Sequence, residues 1–215
     1  MNDDEIILRH FKRSKSHNNL TSIMRDSITL DKDMGFLIPL GSLFLENTDI
    51  ISLLAKWRVE ALTFHNKFAV TFESTLTWYK NLLINVDDRI LFLIISKSGQ
   101  PIGHTGFANI VGNKHFEIDN VIRGVSNLEP GIMSNAVVST MHWAKTLFGN
   151  KKFILRTLES NQRAINFYSK IGFKECDLIP LKKIETESGY DHIVTSLRET
   201  KKPDNHFVVM HKYLE

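Results

Sequence analysis

The sequence predicts a mixed α/β (α+β) domain with a mostly antiparallel central sheet flanked by helices, and three observations carry that reading. Strand-like apolar runs outnumber helical ones, yet the two kinds alternate late in the chain. Near the middle, "RILFLIIS", "PIGHTGFANIV" and "KHFEIDNVIRG" follow one another with only short connections, as neighbouring strands of a meander do. Finally "LESNQRAINFYSKIGF", residues 158–173, leaves a strand, makes about two and a half turns of helix and re-enters a strand through one glycine.

Taken in order, residues 1–35 form an extension in which charge clusters alternate with short apolar patches, without a sustained period. One or two helices packed on the main domain, or an oligomer arm, fit that composition. The basic cluster Lys12, Arg13 and Lys15 reads as a solvated face. The main domain then runs over 36–215. "FLIPLGSLFL" predicts its first strand. "TDIISLLAKWRVEAL" opens on the capping-type Thr48 and Asp49 and continues as a helix. After the connection "TFHNKFAV", Phe72, Leu76, Tyr79 and Leu83 sit at helical spacing in a second helix. The meander follows, its last strand alternating Glu117, Asp119 and Val121 against Phe116, Ile118, Asn120 and Ile122. A loop, "VSNLEP", leads to a helix over 131–148 whose face carries Met133, Val137, Thr140, Ala144 and Leu147. Strands at 153–158, 173–176 and "HFVVMHKYL" complete the chain, with the helix of 162–171 between the first two.

That last helix has a chemical face. Ser160 or Asn161 caps it, Ala164, Ile165, Phe167, Tyr168 and Ile171 keep its period, and Gly172 ends it as a left-handed residue without a Cβ penalty. Two turns bring Asn161 and Tyr168 to one side, so an amide and a phenol are presented at the C-terminal end of a strand, where open α/β sheets bind ligands. An amphipathic helix whose tyrosine merely packs with a wet hydroxyl fits the same pattern.

Bulk properties narrow the function classes. A hydrophobic content of 42%, a charged content of 24% and a net charge of +3 describe an ordinary soluble globular protein, compatible with an anionic ligand but not marked for nucleic acid. The single cysteine, Cys176, excludes an internal disulfide and reads as a small filler in a reducing, cytoplasmic setting. No apolar run is long enough to span a membrane, and "MNDDE" is unlike a signal peptide. The histidines form no metal-ligand spacing, so no metal is expected; no GxxxxGK or GxGxxG follows a strand.

The element order, with Asn161, Ala164, Phe167, Tyr168, Gly172 and Phe173 at the spacing Asn-x-x-Ala-x-x-aromatic-Tyr followed by Gly-Phe, resembles the GNAT superfamily of acyl-CoA-dependent N-acetyltransferases over about residues 36–215. The resemblance implies acetyl-CoA as co-substrate, a primary amine as acceptor, and direct transfer. In its terms Tyr168 is the general acid that protonates the departing thiolate. Asn161, Ala164 and Phe167, the strand residues Val121, Ile122 and Arg123, and Gly131 lie toward the cofactor. The family's diphosphate loop carries Gln or Arg, two residues, Gly, one residue, then Gly or Ala. Here "LEPGIM" matches it only at Gly131, and Glu129 adds a negative charge.

Glu117 and Asp119 share a strand face and are the candidates for the base; solvent-facing strand residues look the same in sequence. His104 and His115 are further candidates by type. On the acceptor side the resemblance points to Arg58, His65, Phe68 and His104. The phrases "LLAKWR", "STLTWY", "PGIMSNAV" and "DLIPL" are similar to GNAT members that acetylate nucleotide-linked amino sugars for surface polysaccharides. A Trp-Arg helix followed by a Trp-bearing helix is also similar to enzymes of ribosomal-protein N-termini. The expected partner is thus a small amine, first a sugar nucleotide, with no nucleic acid or membrane and with a homodimer open. A non-catalytic acyl-CoA-binding module is the reading outside enzyme chemistry.

Overall fold

The computed structural model describes residues 3–61, 69–110, 115–187, 189–196 and 202–215. Its helices are α1 (Asp3–Lys15), α2 (Leu20–Arg25), α3 (Thr48–Glu60), α4 (Phe72–Trp78), α5 (Ile132–Phe148) and α6 (Gln162–Lys170). Its strands are β1 (Ile28–Thr29), β2 (Gly35–Pro39), β3 (Ile90–Ser96), β4 (Pro101–Ala108), β5 (Phe116–Arg123), β6 (Lys152–Leu158), β7 (Lys174–Thr186), β8 (Gly189–Val194) and β9 (Asn205–Tyr213). Among the described residues these strands form one sheet in the order β1-β2-β3-β4-β5-β6-β9-β7-β8. Every pairing is antiparallel except β5 with β6, which α5 joins as a crossover.

That one parallel pairing positions the site. It is registered only at Phe116↔Phe153 and Glu117↔Ile154, although β5 runs on to Arg123 and β6 to Leu158. Beyond Glu117 the strands part and leave a wedge in the middle of the sheet.

The core lies on both faces. β3 sends Ile90, Phe92 and Ile94 into the layer under α5 and α6, and Leu91, Leu93 and Ile95 into the layer under α3 and α4. A strand buried on both sides must be apolar throughout, which is why "RILFLIIS" scarcely alternates. In α5 the small residues Ala136 and Ala144 are fully buried with Val137, Thr140 and Met141. Leu147, expected on this face, is 46% exposed because the buried stripe ends at Ala144.

The extension is pinned to the main core. Phe11 is enclosed beside Phe116, Trp143 and Phe148. Lys15 is not on a solvated face: it is buried, and its Nζ donates to the Leu83 and Val86 carbonyls at 2.9 and 2.6 Å. Those carbonyls lie at and just beyond the end of the π-helical turn Tyr79–Ile84 that continues α4, so a cation there completes open acceptors. Burial lowers the Lys15 pKa to about 8.

Three segments differ from expectation. The predicted strand over 36–45 stops at Pro39 and gives way to a 3₁₀ turn, Ser42–Phe44; between them Gly41 backs so closely onto the Lys15 carbonyl that a Cβ there would lie 2.3 Å from it. The short strand at 173–176 is the start of the long β7, which makes a hairpin with β8. Its polar residues on both faces hide the two-residue period. Cys176, expected as filler, is exposed on β7, with its Sγ donating to the Val209 carbonyl at 3.4 Å.

Candidate active site

β5 carries an irregularity that its sequence does not announce. His104 pairs with Ile122 and Gly106 with Asp119, so a step of two residues on β4 faces a step of three on β5. Asn120 absorbs the extra residue with φ of 52°, in the left-handed region that asparagine tolerates better than most. The bulge reverses the alternation beyond it. Val121 packs with Phe116 and Ile118 in the α5 layer, instead of sharing the face of Glu117 and Asp119, and Ile122 packs in the α3 layer. Arg123 ends the strand exposed.

Tyr168 stands on α6, whose start is capped by Asn161 Oδ1 accepting from the Ala164 amide at 3.1 Å. Gly172, at φ of 93°, ends the helix, and Lys212 Nζ donates to the Ile171 carbonyl at 2.6 Å. The Tyr168 ring meets Phe167 and Phe173 edge-on at 5.1 and 5.8 Å between centroids. Its residue is 8% exposed. The hydroxyl bonds to no group among the described residues, yet it is not sealed. The enclosed side-chain polar atoms without a partner, among the described residues, are Arg89 Nε, His104 Nε2 and Thr105 Oγ1. Burial first, and the nearby Asp119 charge second, push the phenol pKa well above its ordinary value. Both effects keep the proton on oxygen. Ala164 and Phe167 pack, partly buried, against the same layer.

The two carboxylates differ. Glu117 accepts from Arg156 Nε and Nη2 at 2.8 and 3.0 Å and from Asn109 Nδ2 at 2.8 Å, so both oxygens are engaged. Its side chain is 11% exposed. Asp119 is 32% exposed, and its bonds from Arg89 Nη1 and Asn120 Nδ2 both fall on Oδ2. Oδ1 receives no bond from the described residues.

On the α3 layer Arg58 is buried, donates to Thr75 Oγ1 at 3.1 Å and lies 4.6 Å over the Trp78 ring. Burial lowers its pKa to about 10. Trp57 is seated on Gly124, where a Cβ would come within 2.0 Å of the indole. The His104 ring is 6.1 Å from that indole, and its Nδ1 is 2.6 Å from the Asn120 carbonyl. His115 is half-buried at the other end of β5. His65 and Phe68 lie outside the described residues.

Gly131, the residue that precedes α5 as its N-cap, has φ of 88°. No side chain caps this terminus, and a Cβ at Gly131 would meet nothing within 4 Å. Glu129 pairs with Lys97 at 3.4 Å, which offsets its charge near an end whose amides attract anions. Among the described residues no cluster of His, Cys, Asp or Glu could hold a metal ion, and no helix is long and apolar enough to cross a membrane.

Comparison with known proteins bears on this architecture. No curated protein matches the sequence. A Chromobacterium violaceum protein of the GNAT family of acetyltransferases superposes with a TM-score of 0.61 at 15% identity, over 87% of this chain and 85% of that one. The spermidine N-acetyltransferase of Vibrio cholerae, in complex with CoA and spermine, gives 0.55 at 14% identity over 82% and 94%. The ribosomal-protein-alanine N-acetyltransferase of Brucella melitensis gives 0.54 at 17% over 78% and 96%. These likenesses show a shared fold. The sequence itself matches the family model described as "Acetyltransferase (GNAT) domain" over residues 44–174, more than half of the chain. With the splayed β5–β6 pair and the bulge at Asn120, the match establishes that the chain belongs to the GNAT family and is an N-acetyltransferase, an enzyme type that draws its acetyl group from acetyl-CoA.

Proposed function

We propose that the acetyl thioester lies in the wedge between β5 and β6 and is transferred directly to a primary amine that approaches from the α3 side. The observation that carries this reading is the Tyr168 hydroxyl: unbonded among the described residues, not enclosed, and held protonated near Asp119, which lies on β5 just past its last registered pair with β6. The amine nitrogen attacks the thioester carbon, the carbon–sulfur bond breaks, and Tyr168 gives its proton to the leaving sulfur. Asp119, through its open Oδ1, takes the proton that the nitrogen loses. Glu117, with both oxygens engaged, braces β5 against Arg156. The turn before α5, with Gly131 at its centre, would receive the diphosphate. The open edges of Val121, Ile122 and Arg123 would flank the pantetheine arm, with Asn161, Ala164 and Phe167 across from them.

For the acceptor, a nucleotide-linked amino sugar is the reading we favour. Arg58 is a buried cation on that side. Asp119 and Glu117 are each paired with an arginine. Such surroundings attract an anionic body, as phosphates provide, and repel a polyamine. A peptide N-terminus is the second reading, favoured by the partly exposed Trp78 ring that lies against Arg58. Thiol release from acetyl-CoA, measured with nucleotide-linked amino sugars, N-terminal peptides and spermidine, tests both. Turnover with sugar nucleotides above the other two supports the first reading, and a preference for spermidine would sink the charge argument.

A further inference from the structure

Two carboxylates of β5, Glu117 and Asp119, are each held by an arginine, and the two pairs are built differently. Arg156, on β6, grips Glu117 with two bonds, Nε to Oε1 and Nη2 to Oε2. That forked geometry is the stronger one, and it closes both carboxylate oxygens. Arg89, just ahead of β3, meets the partly exposed Asp119 at a single point, Nη1 on Oδ2. Its Nε is enclosed and bonds to nothing among the described residues. β4 lies between β3 and β5 and places Gly106 opposite Asp119, so no side chain at that position bars the reach of Arg89. Asn120 Nδ2 adds a second donor to the same Oδ2. Arg89 thus forgoes the second bond that Arg156 makes. Its end-on contact leaves open Oδ1 of a carboxylate whose charge is felt at Tyr168.

We propose that Arg89 is a positioning residue of the transfer reaction: bound to Oδ2, it fixes the rotation of the Asp119 carboxylate so that Oδ1 stands open to the proton the amine nitrogen loses. This deepens the reaction proposed above and rests on Asp119 being its base. Arg89 acts through Asp119 and not on the reacting atoms. Two anchors on one oxygen, one from ahead of β3 and one from the bulge of β5, oppose rotation of the carboxylate. In the transfer step the N–H bond breaks and the proton goes to Oδ1, while the guanidinium keeps all of its own protons. Glu117, closed on both oxygens by its forked partner, is not free to serve in the same way.

The test crosses Arg89→Met and Arg89→Lys with Asp119→Asn. Methionine keeps an apolar stem but donates nothing, whereas lysine still offers one charged donor to Oδ2. kcat and the amine KM are read at saturating acetyl-CoA, with the best acceptor among nucleotide-linked amino sugars, N-terminal peptides and spermidine. Acetyl-CoA affinity and melting temperature are measured beside them. We expect Arg89→Met to lower kcat by about ten-fold or more, with the amine KM and acetyl-CoA affinity within about two-fold. Arg89→Lys should recover part of that loss. On the Asp119→Asn background Arg89→Met should cost at most about two-fold more, because the carboxylate it positions has gone. Losses that multiply in the double variant, or a kcat that Arg89→Met leaves unchanged, would overturn the proposal while Asp119 stays the base. If Arg89→Met fails to fold, Arg89→Lys decides alone, since its smaller loss must likewise vanish beside Asp119→Asn. An Asp119→Asn variant with wild-type kcat would instead remove the base itself, and the role of Arg89 with it.

Discussion

The two faces of the sheet at β5 were built by different rules. Toward α5, Phe107, Phe116, Phe153 and Trp143 form a continuous aromatic layer, closed by Phe11 from the extension. Toward α3, the apolar set of Leu91, Leu93, Ile122 and Trp57 surrounds buried polar groups, namely His104, Arg58 and Thr75. One strand serves both, and the bulge at Asn120 is where it changes over. A dry layer holds the shape and keeps the phenol of Tyr168 protonated. The polar layer stores groups whose charge and direction are set before any substrate arrives, as electrostatic preorganisation requires.

That contrast can be broken first at the phenol. Tyr168→Phe should reduce kcat by about a hundred-fold or more while acetyl-CoA affinity, read by calorimetry, stays within about two-fold. Unchanged turnover would remove the hydroxyl from the chemistry and leave Tyr168 a packing residue of the dry layer.

On the polar face, acid should act through His104. Its folded pKa of about 4 lies below the ordinary 6.5, so between those values the unfolded chain binds the proton and the folded one does not. The stability of the neutral form is complete above pH 6.5 and is lost as pH falls toward 4. The loss is at most about 3.5 kcal/mol, from roughly 1.4 kcal/mol per pH unit. Melting curves between about pH 7 and pH 4.5 should show this slope in the wild type and a shallower one in His104→Asn. Parallel curves would mean other groups dominate.

The carboxylates sharpen the comparison further. Glu117→Ala removes the buried carboxylate that Arg156 and Asn109 bond and should cost about 2 kcal/mol of stability, with little effect on turnover per folded molecule. Asp119→Asn should do the reverse, lowering kcat more than melting temperature. If both variants lose stability alone, neither carboxylate takes the amine's proton. The smallest effect belongs to the cap: Asn161→Ala should cost about 1 kcal/mol by chemical denaturation.

Legibility in the sequence followed the same division. The strand–helix–strand unit from Leu158 to Phe173 could be read because its signals are local: a cap at Asn161, a helical period and a left-handed glycine, Gly172. The doubly buried β3 announced itself as an apolar run. Lys15 could not be read, since its burial depends on carbonyls of Leu83 and Val86 far along the chain. The phase of Val121 was misread because alternation assumes an unbroken ladder, and the bulge is imposed by pairing with β4. The β7–β8 hairpin stayed hidden because strands that are polar on both faces carry no period.

By itself, then, the sequence determined the α/β class, the order of most of its elements and the identity of the helix that bears Tyr168, because backbone preferences and hydrophobic periods act between near neighbours. Only the tertiary structure decided which carboxylate keeps an open oxygen, which lysine is buried and which histidine holds an unanswered lone pair. Those outcomes depend on partners brought in from distant segments, and a charge or a hydrogen bond takes its character from the groups packed around it.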